Sequence, residues 1–147
     1  MVKDVHIRLD TGSQHTYMTE KKAKELGLQY EGEQEIKLVT FGSNKSKVLK
    51  TKVAKMKLKL KDGSEMLITA NIVPTIAGTT SKMPLAIYKK DAFKSLTKHL
   101  KLANQVHVKA EFRTIDLLIG NYFYLDIIKS ERIQIENGLY LLSSKLG

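Results

Sequence analysis

Apolar and polar residues alternate from the start of the chain. Val5, Ile7 and Leu9 fall on one side and His6 and Arg8 on the other, the period of a short half-buried strand. The alternation stops at Asp10, and "DTGSQ" follows as a loop. "TEKKAKELGL" then predicts a helix, with Thr19 as N-cap, Ala23 and Leu26 on one face and Gly27 at the stop. "EIKLVTF" reads as a strand and "GSNKS" as a turn-like tip. In "NKSKVLKTKVAKMKLKLK", Met56, Leu58 and Leu60 alternate with Lys55, Lys57, Lys59 and Lys61, which describes a strand with one wet face. "KDGS" is an Asp-Gly hairpin signal, and "EMLITANIV" returns as the partner strand, ending at Pro74.

Further along, "PTIAGTTSKMP" reads as a loop. "DAFKSLTKHL" predicts a short helix capped by Asp91 that buries Phe93, Leu96 and Leu100. "KLANQVHVKAEFRT" fits more than one state. "IDLLIG" is an apolar run of the kind a fully buried strand shows. "NYFYLDIIKS" suggests a helix, and "ERIQI" with "GLYLLSS" a last hairpin through Asn137-Gly138. Repeats, low-complexity tracts and linkers are absent. The expectation is a mostly β chain with two or three short helices in one domain, residues 1–147, a length that suits a single core.

Composition narrows the chemistry. The absence of cysteine excludes disulfides, thiolate zinc sites and cysteine nucleophiles. No apolar run reaches the ~20 residues of a membrane span, and the N-terminal residues lack an apolar signal core, so an intracellular, cytoplasmic setting without membrane contact is expected. The net charge of +10 favours anionic partners. Much of it lies on the lysine strand, where lysine also discourages edge pairing. Nucleic-acid readers interleave aromatics with their basic residues and this segment has none, so any nucleic-acid contact there is expected to be incidental. His6, His15, His99 and His107 show no metal-ligand spacing.

Among the aspartates, Asp62 is accounted for by its hairpin and Asp91 by a helix cap, while Asp116 and Asp126 punctuate the apolar run. Asp10 has no such account: a turn residue and a catalytic carboxylate both fit. Its downstream partner is "LLIG", a buried strand ending at Gly120 and a close backbone approach. A strand, then Asp-Thr-Gly-Ser, then a distant apolar-apolar-Gly and a helix resembles the aspartic protease half-fold. "RLDTGSQHTYMTEKKAKELGL", "LVTFGS", "NIVP", "LKLAN", "IDLLIG" and "SKLG", in that order, resemble the peptidase domain of BEL/Pao long-terminal-repeat retrotransposons. Tyr122 stands where that resemblance leads one to look for an acid, and Leu125 where one looks for a tryptophan.

The resemblance implies a retropepsin-like acid protease fold, a closed or partly open β-barrel with short helices, carrying half a site per chain. It implies a homodimeric aspartic endopeptidase in which two Asp10 carboxylates activate a water, acting on a retrotransposon polyprotein at apolar sites without metal or cofactor. Thr11 would lock the two loops together, Gly12 would let backbone approach substrate, and Ser13 would hydrogen-bond the outer carboxylate oxygen. Ile119 and Gly120 would wall the aspartate. Thr40, Phe41 and Gly42, within Thr40–Asn44, would form a flap tip over substrate. Two other readings stay open: a protease fold kept only for peptide binding or dimerisation, which the Tyr122 departure motivates, and a basic nucleic-acid-binding module.

Overall fold

The computed structural model describes residues 3–39, 42, 44–76, 80–82, 90–100, 102–103 and 111–147. Their strands are β1 (Ile7–Leu9), β2 (Tyr17–Thr19), β3 (Tyr30–Val39), β4 (Ser46–Lys59), β5 (Glu65–Val73), β6 (Thr80–Lys82), β7 (Glu111–Arg113), β8 (Leu117–Ile119), β9 (Ile128–Glu136) and β10 (Leu139–Ser144). Three short helices accompany them: α1 (Glu20–Glu25), α2 (Asp91–Thr97) and α3 (Asn121–Ile127). None is long and apolar enough to cross a membrane.

Six strands make one sheet in the order β1-β8-β2-β5-β4-β3. β8 runs parallel to β1 and antiparallel to β2, and β2 runs parallel to β5. A late segment of the chain thus fills the gap between the first two strands. β6 pairs with β7, and β9 with β10, as separate two-stranded sheets.

Local chemistry explains the long strands. On β4, Ala54, Met56 and Leu58 are buried and the intervening lysines are exposed, as the period-two pattern requires. The inward residues meet Ala70, Ile68 and Met66 of β5 in register. With Met18, Ala23, Ile72, Leu117, Ile119 and Ile127 they form the core, against which Ile7, Leu9 and Leu26 pack. The hairpin tips fall on Gly63 (φ 88°) and Gly138 (φ 79°), left-handed positions that favour glycine. Asp62 Oδ1 accepts from the Ser64 amide at 2.9 Å, and hydrogen bonding from Ser64 holds the Asp62 carboxyl below its usual range. At α1, Thr19 Oγ1 accepts from the Lys22 amide at 3.3 Å, so the predicted cap is in place.

Several expectations change. Of the closed and partly open forms expected, the closed one is not seen: six of the ten described strands form an open sheet, with β1 and β3 at opposite edges and no pairing between them. β3 begins at Tyr30, five residues before the apolar stretch that announced it, since pairing with the long β4 carries the strand through a polar sequence. Asp91 is the first residue of α2 and Lys90 takes the cap position, with no side-chain cap bond. Phe93 is buried, but Leu96 and Leu100 remain exposed, so only part of that helix's apolar face is covered. β6 lies inside the stretch expected to be loop, and α3 ends at Ile127, where the chain turns into β9.

Neighbouring residues on β5 separate the two faces of the sheet. Ile68 is fully buried while Leu67 keeps 56% of its surface. Ile68→Ala is expected to cost about 2–5 kcal/mol in urea unfolding. Leu67→Ala should stay within about 0.5 kcal/mol of the parent; comparable losses at both positions would contradict the assigned faces.

Candidate active site

β1 delivers Asp10 to its place. The ladder with β8 continues one step past the strand end, with the Asp10 amide donating to the Ile119 carbonyl at 3.0 Å. The chain then turns: the Gly12 amide donates to Asp10 Oδ1 at 2.9 Å and the Ser13 amide to the Asp10 carbonyl at 3.4 Å. The side chain of Asp10 is therefore anchored by its own loop while the backbone is anchored by β8. Asp10 is half-buried, and Thr11 and Gly12 stand exposed at the rim. Among the described residues, none hydrogen-bonds the Thr11 hydroxyl.

Residues 10–16 span the gap between β1 and β2, and β8 lies in that gap. The chain leaving β8 passes directly against this arch. A Cβ built on Gly120 would lie 2.2 Å from the His15 carbonyl oxygen and 2.7 Å from that of Ser13, both backbone atoms. Only glycine fits there. Two hydrogen bonds secure the crossing: the Gly120 amide donates to Thr16 Oγ1 at 3.1 Å, and the Asn121 amide to the Ser13 carbonyl at 2.6 Å. Thr16 also ties the arch to the sheet, its carbonyl accepting from the Asn71 amide at 2.8 Å. Asn71 in turn donates to Thr51 Oγ1 at 3.0 Å, a buried bond, and to Oε1 of the exposed Gln34 at 2.8 Å, so its amide has partners in place.

Asp10, Thr11, Gly12, Ser13, Ile119 and Gly120 are thus brought together. Gly42 lies in the turn between β3 and β4; Thr40 and Phe41 lie outside the described residues. The Ser13 hydroxyl donates to the His15 carbonyl at 2.9 Å, where a bond to the Asp10 carboxylate had been expected. Burial holds the Tyr17 phenol above its usual value, and a hydrogen bond with Ser13 offsets part of that shift. The other carboxylates singled out from the sequence have separate structural surroundings. Asp116 Oδ2 accepts from the His6 amide at 3.0 Å and faces Lys22 Nζ at 3.8 Å. Asp126 lies exposed on α3. Among the described residues, no cluster of three His, Asp or Glu side chains offers a metal site.

Sequence reasoning missed Thr16, Asn71 and Asn121. Each acts through bonds to residues distant in the chain, and nothing local marks them. Two cavities, of about 970 and about 560 Å³, flank the core and the β9–β10 hairpin, and neither is lined by Asp10, Thr11 or Gly12. The carboxylate sits instead beside the exposed Thr11 and Gly12, away from both cavities.

The chain belongs to the family described as "Putative peptidase (DUF1758)", whose model matches residues 3–147. Neither a curated protein nor a solved structure matches it. The family description fits a protease, and the mostly β architecture agrees with one.

The crossing at Gly120 makes two predictions. Thr16→Val removes the acceptor of a buried amide and is expected to cost about 1–3 kcal/mol, with Thr16→Ser losing less. Gly120→Ala forces the arch away from β8 and should cost about 3 kcal/mol or more. Urea unfolding checks both, and a neutral Gly120→Ala would contradict the close approach.

Proposed function

We propose that the chain is an aspartic endopeptidase of the retropepsin kind that works as a homodimer, with Asp10 of each copy facing the other across a two-fold axis. The observation that carries this reading is the placement of Asp10. It stands on a rim fixed by a buried crossing, beside an exposed Thr-Gly, and among the described residues no other carboxylate is hydrogen-bonded into that rim. The aspartic mechanism uses two carboxylates sharing a proton, and the Asp-Thr-Gly loop of one chain offers one. A two-fold axis supplies the other without new sequence.

In the pair, the ionised carboxylate takes a proton from water as the water oxygen bonds to the substrate carbonyl carbon. The protonated partner gives its proton to the carbonyl oxygen. As the tetrahedral diol collapses and the C–N bond breaks, the protonated carboxyl gives its proton to the leaving nitrogen and the ionised one takes a diol hydroxyl proton, which restores the singly protonated pair. Thr11 is suited to bond across the axis, since no bond among the described residues engages its hydroxyl. Gly12 leaves room for substrate backbone, and Ile119 and Gly120 back the loop. Gly42, in the turn between β3 and β4, fits a flap tip, and the resemblance alone assigns Thr40 and Phe41 to the same flap. The resemblance to BEL/Pao retrotransposon peptidases supports a polyprotein as substrate, cut at apolar positions inside the cell.

The net charge of +10 attracts anions, but it does not by itself carry a nucleic-acid reading. Lys50, Lys55 and Lys57 carry their own counter-charges, Glu33 at 3.0 Å, Glu31 at 3.4 Å and Glu65 at 3.5 Å. Such pairs contribute at most about 1 kcal/mol to stability, but they lower the field that a phosphate backbone would meet.

Cleavage of an unstructured protein between about pH 4 and pH 7 tests the reading. Asp10→Asn is expected to lower the rate at least about a thousand-fold while leaving the unfolding curve nearly unchanged. Cleavage that survives the substitution would refute it. Thr11→Ala should weaken self-association about tenfold or more, as sedimentation equilibrium would record, because two symmetry-related bonds are lost per dimer.

A further inference from the structure

The sheet has a second face beside Asp10. Arg8 lies between the core-packed Ile7 and Leu9, Leu118 between the buried Leu117 and Ile119, and Tyr17 between the buried Thr16 and Met18. Alternation turns all three away from the core. Strand pairing sets them in one row, Arg8 opposite Leu118 and Leu118 opposite Tyr17. Adjacent strands lie about 4.8 Å apart, so the row is a continuous strip. Asp10 is the next position after Arg8 on the same face, about 7 Å further along the extended chain.

The chemistry of the strip is uneven. Leu118 and Tyr17 are half-buried and mainly apolar, whereas Arg8 is exposed. No carboxylate among the described residues pairs with Arg8, although Lys22, Lys24, Lys50, Lys55 and Lys57 each have an acidic partner. A guanidinium this close to a reacting carboxylate has a fork of donors that no acceptor among the described residues receives.

Resting on the reading of Asp10 as catalytic, we propose that Arg8 is a specificity-determining residue. Its guanidinium receives the carboxylate of an acidic substrate side chain near the scissile bond, and Leu118 and Tyr17 form the apolar floor for an adjoining side chain. Arginine stays charged throughout the working range, so the preference weakens only when the substrate acid protonates, below about pH 4 for glutamate. A bidentate guanidinium–carboxylate pair also discriminates against the isosteric amide.

The test reads binding on the Asp10→Asn protein. Fluorescence anisotropy compares labelled peptides that differ only by Glu or Gln, with that residue moved one position at a time along an apolar sequence. At one position the Glu peptide should bind about tenfold tighter than its Gln counterpart. Arg8→Gln should erase the difference and leave the Gln peptide's affinity within about twofold. Arg8→Glu should transfer the preference to a Lys peptide. Equal binding of Glu and Gln peptides at every position, no binding of any peptide, or a preference that survives Arg8→Gln would overturn the proposal. Failure of the Asp10 reading shows separately, as cleavage that persists in Asp10→Asn.

Discussion

The loop bearing Asp10 is fixed by a backbone that passes too close to it for any side chain. Gly120 leaves β8 directly against the Ser13 and His15 carbonyls, and both ends of that contact are hydrogen-bonded. The rest of the site depends on this contact. It requires β8 to lie between β1 and β2, which buries Leu117 and Ile119 in the core and lengthens the ladder to the Asp10 amide. It also leaves the arch no room to sink, so Thr11 and Gly12 project outward. Rigidity behind the loop and exposure at its tip have one cause.

That division suits a chemistry completed by a second molecule. A loop that must meet its own copy needs a surface free of internal partners and a base that does not yield on contact. The bonds of Thr16 to Gly120 and of Asn71 to Gln34 and Thr51 supply the base, where unsatisfied polar groups would be costly. The exposed rim supplies the surface. The strip of Arg8, Leu118 and Tyr17 borders the same carboxylate, so the proposed selectivity would draw on β1, β8 and β2, the strands that also hold the Asp10 loop.

Local patterns in the sequence foretold much of this. Alternation announced β1 and β4; Asp-Gly and Asn-Gly marked two hairpins, the first with β5 as returning strand; Thr19 marked a cap; and Asp-Thr-Gly and Leu-Leu-Ile-Gly named the two segments that meet at the arch. Non-local relations were hidden. Nothing around Leu117 says that it will lie between strands formed a hundred residues earlier, and nothing around Thr16 says that its hydroxyl will receive the Gly120 amide. The spacing of Phe93, Leu96 and Leu100 revealed a helical face but not what covers it, and only Phe93 is buried. Tyr30 to Gln34 are too polar to announce a strand, and β4 recruits them by pairing. Periodicity reports a residue's own environment, whereas topology is set by which distant edge it meets.

The most direct test of the shared site is to titrate a fixed amount of the unsubstituted chain with the Asp10→Asn chain and follow peptide cleavage. If each copy gives one carboxylate, mixed pairs are inactive, and excess Asp10→Asn protein should draw the rate towards zero as partners exchange. A rate that stays constant through the titration, with mixed dimers shown to form, would mean that one chain holds a complete catalytic centre and would contradict the account.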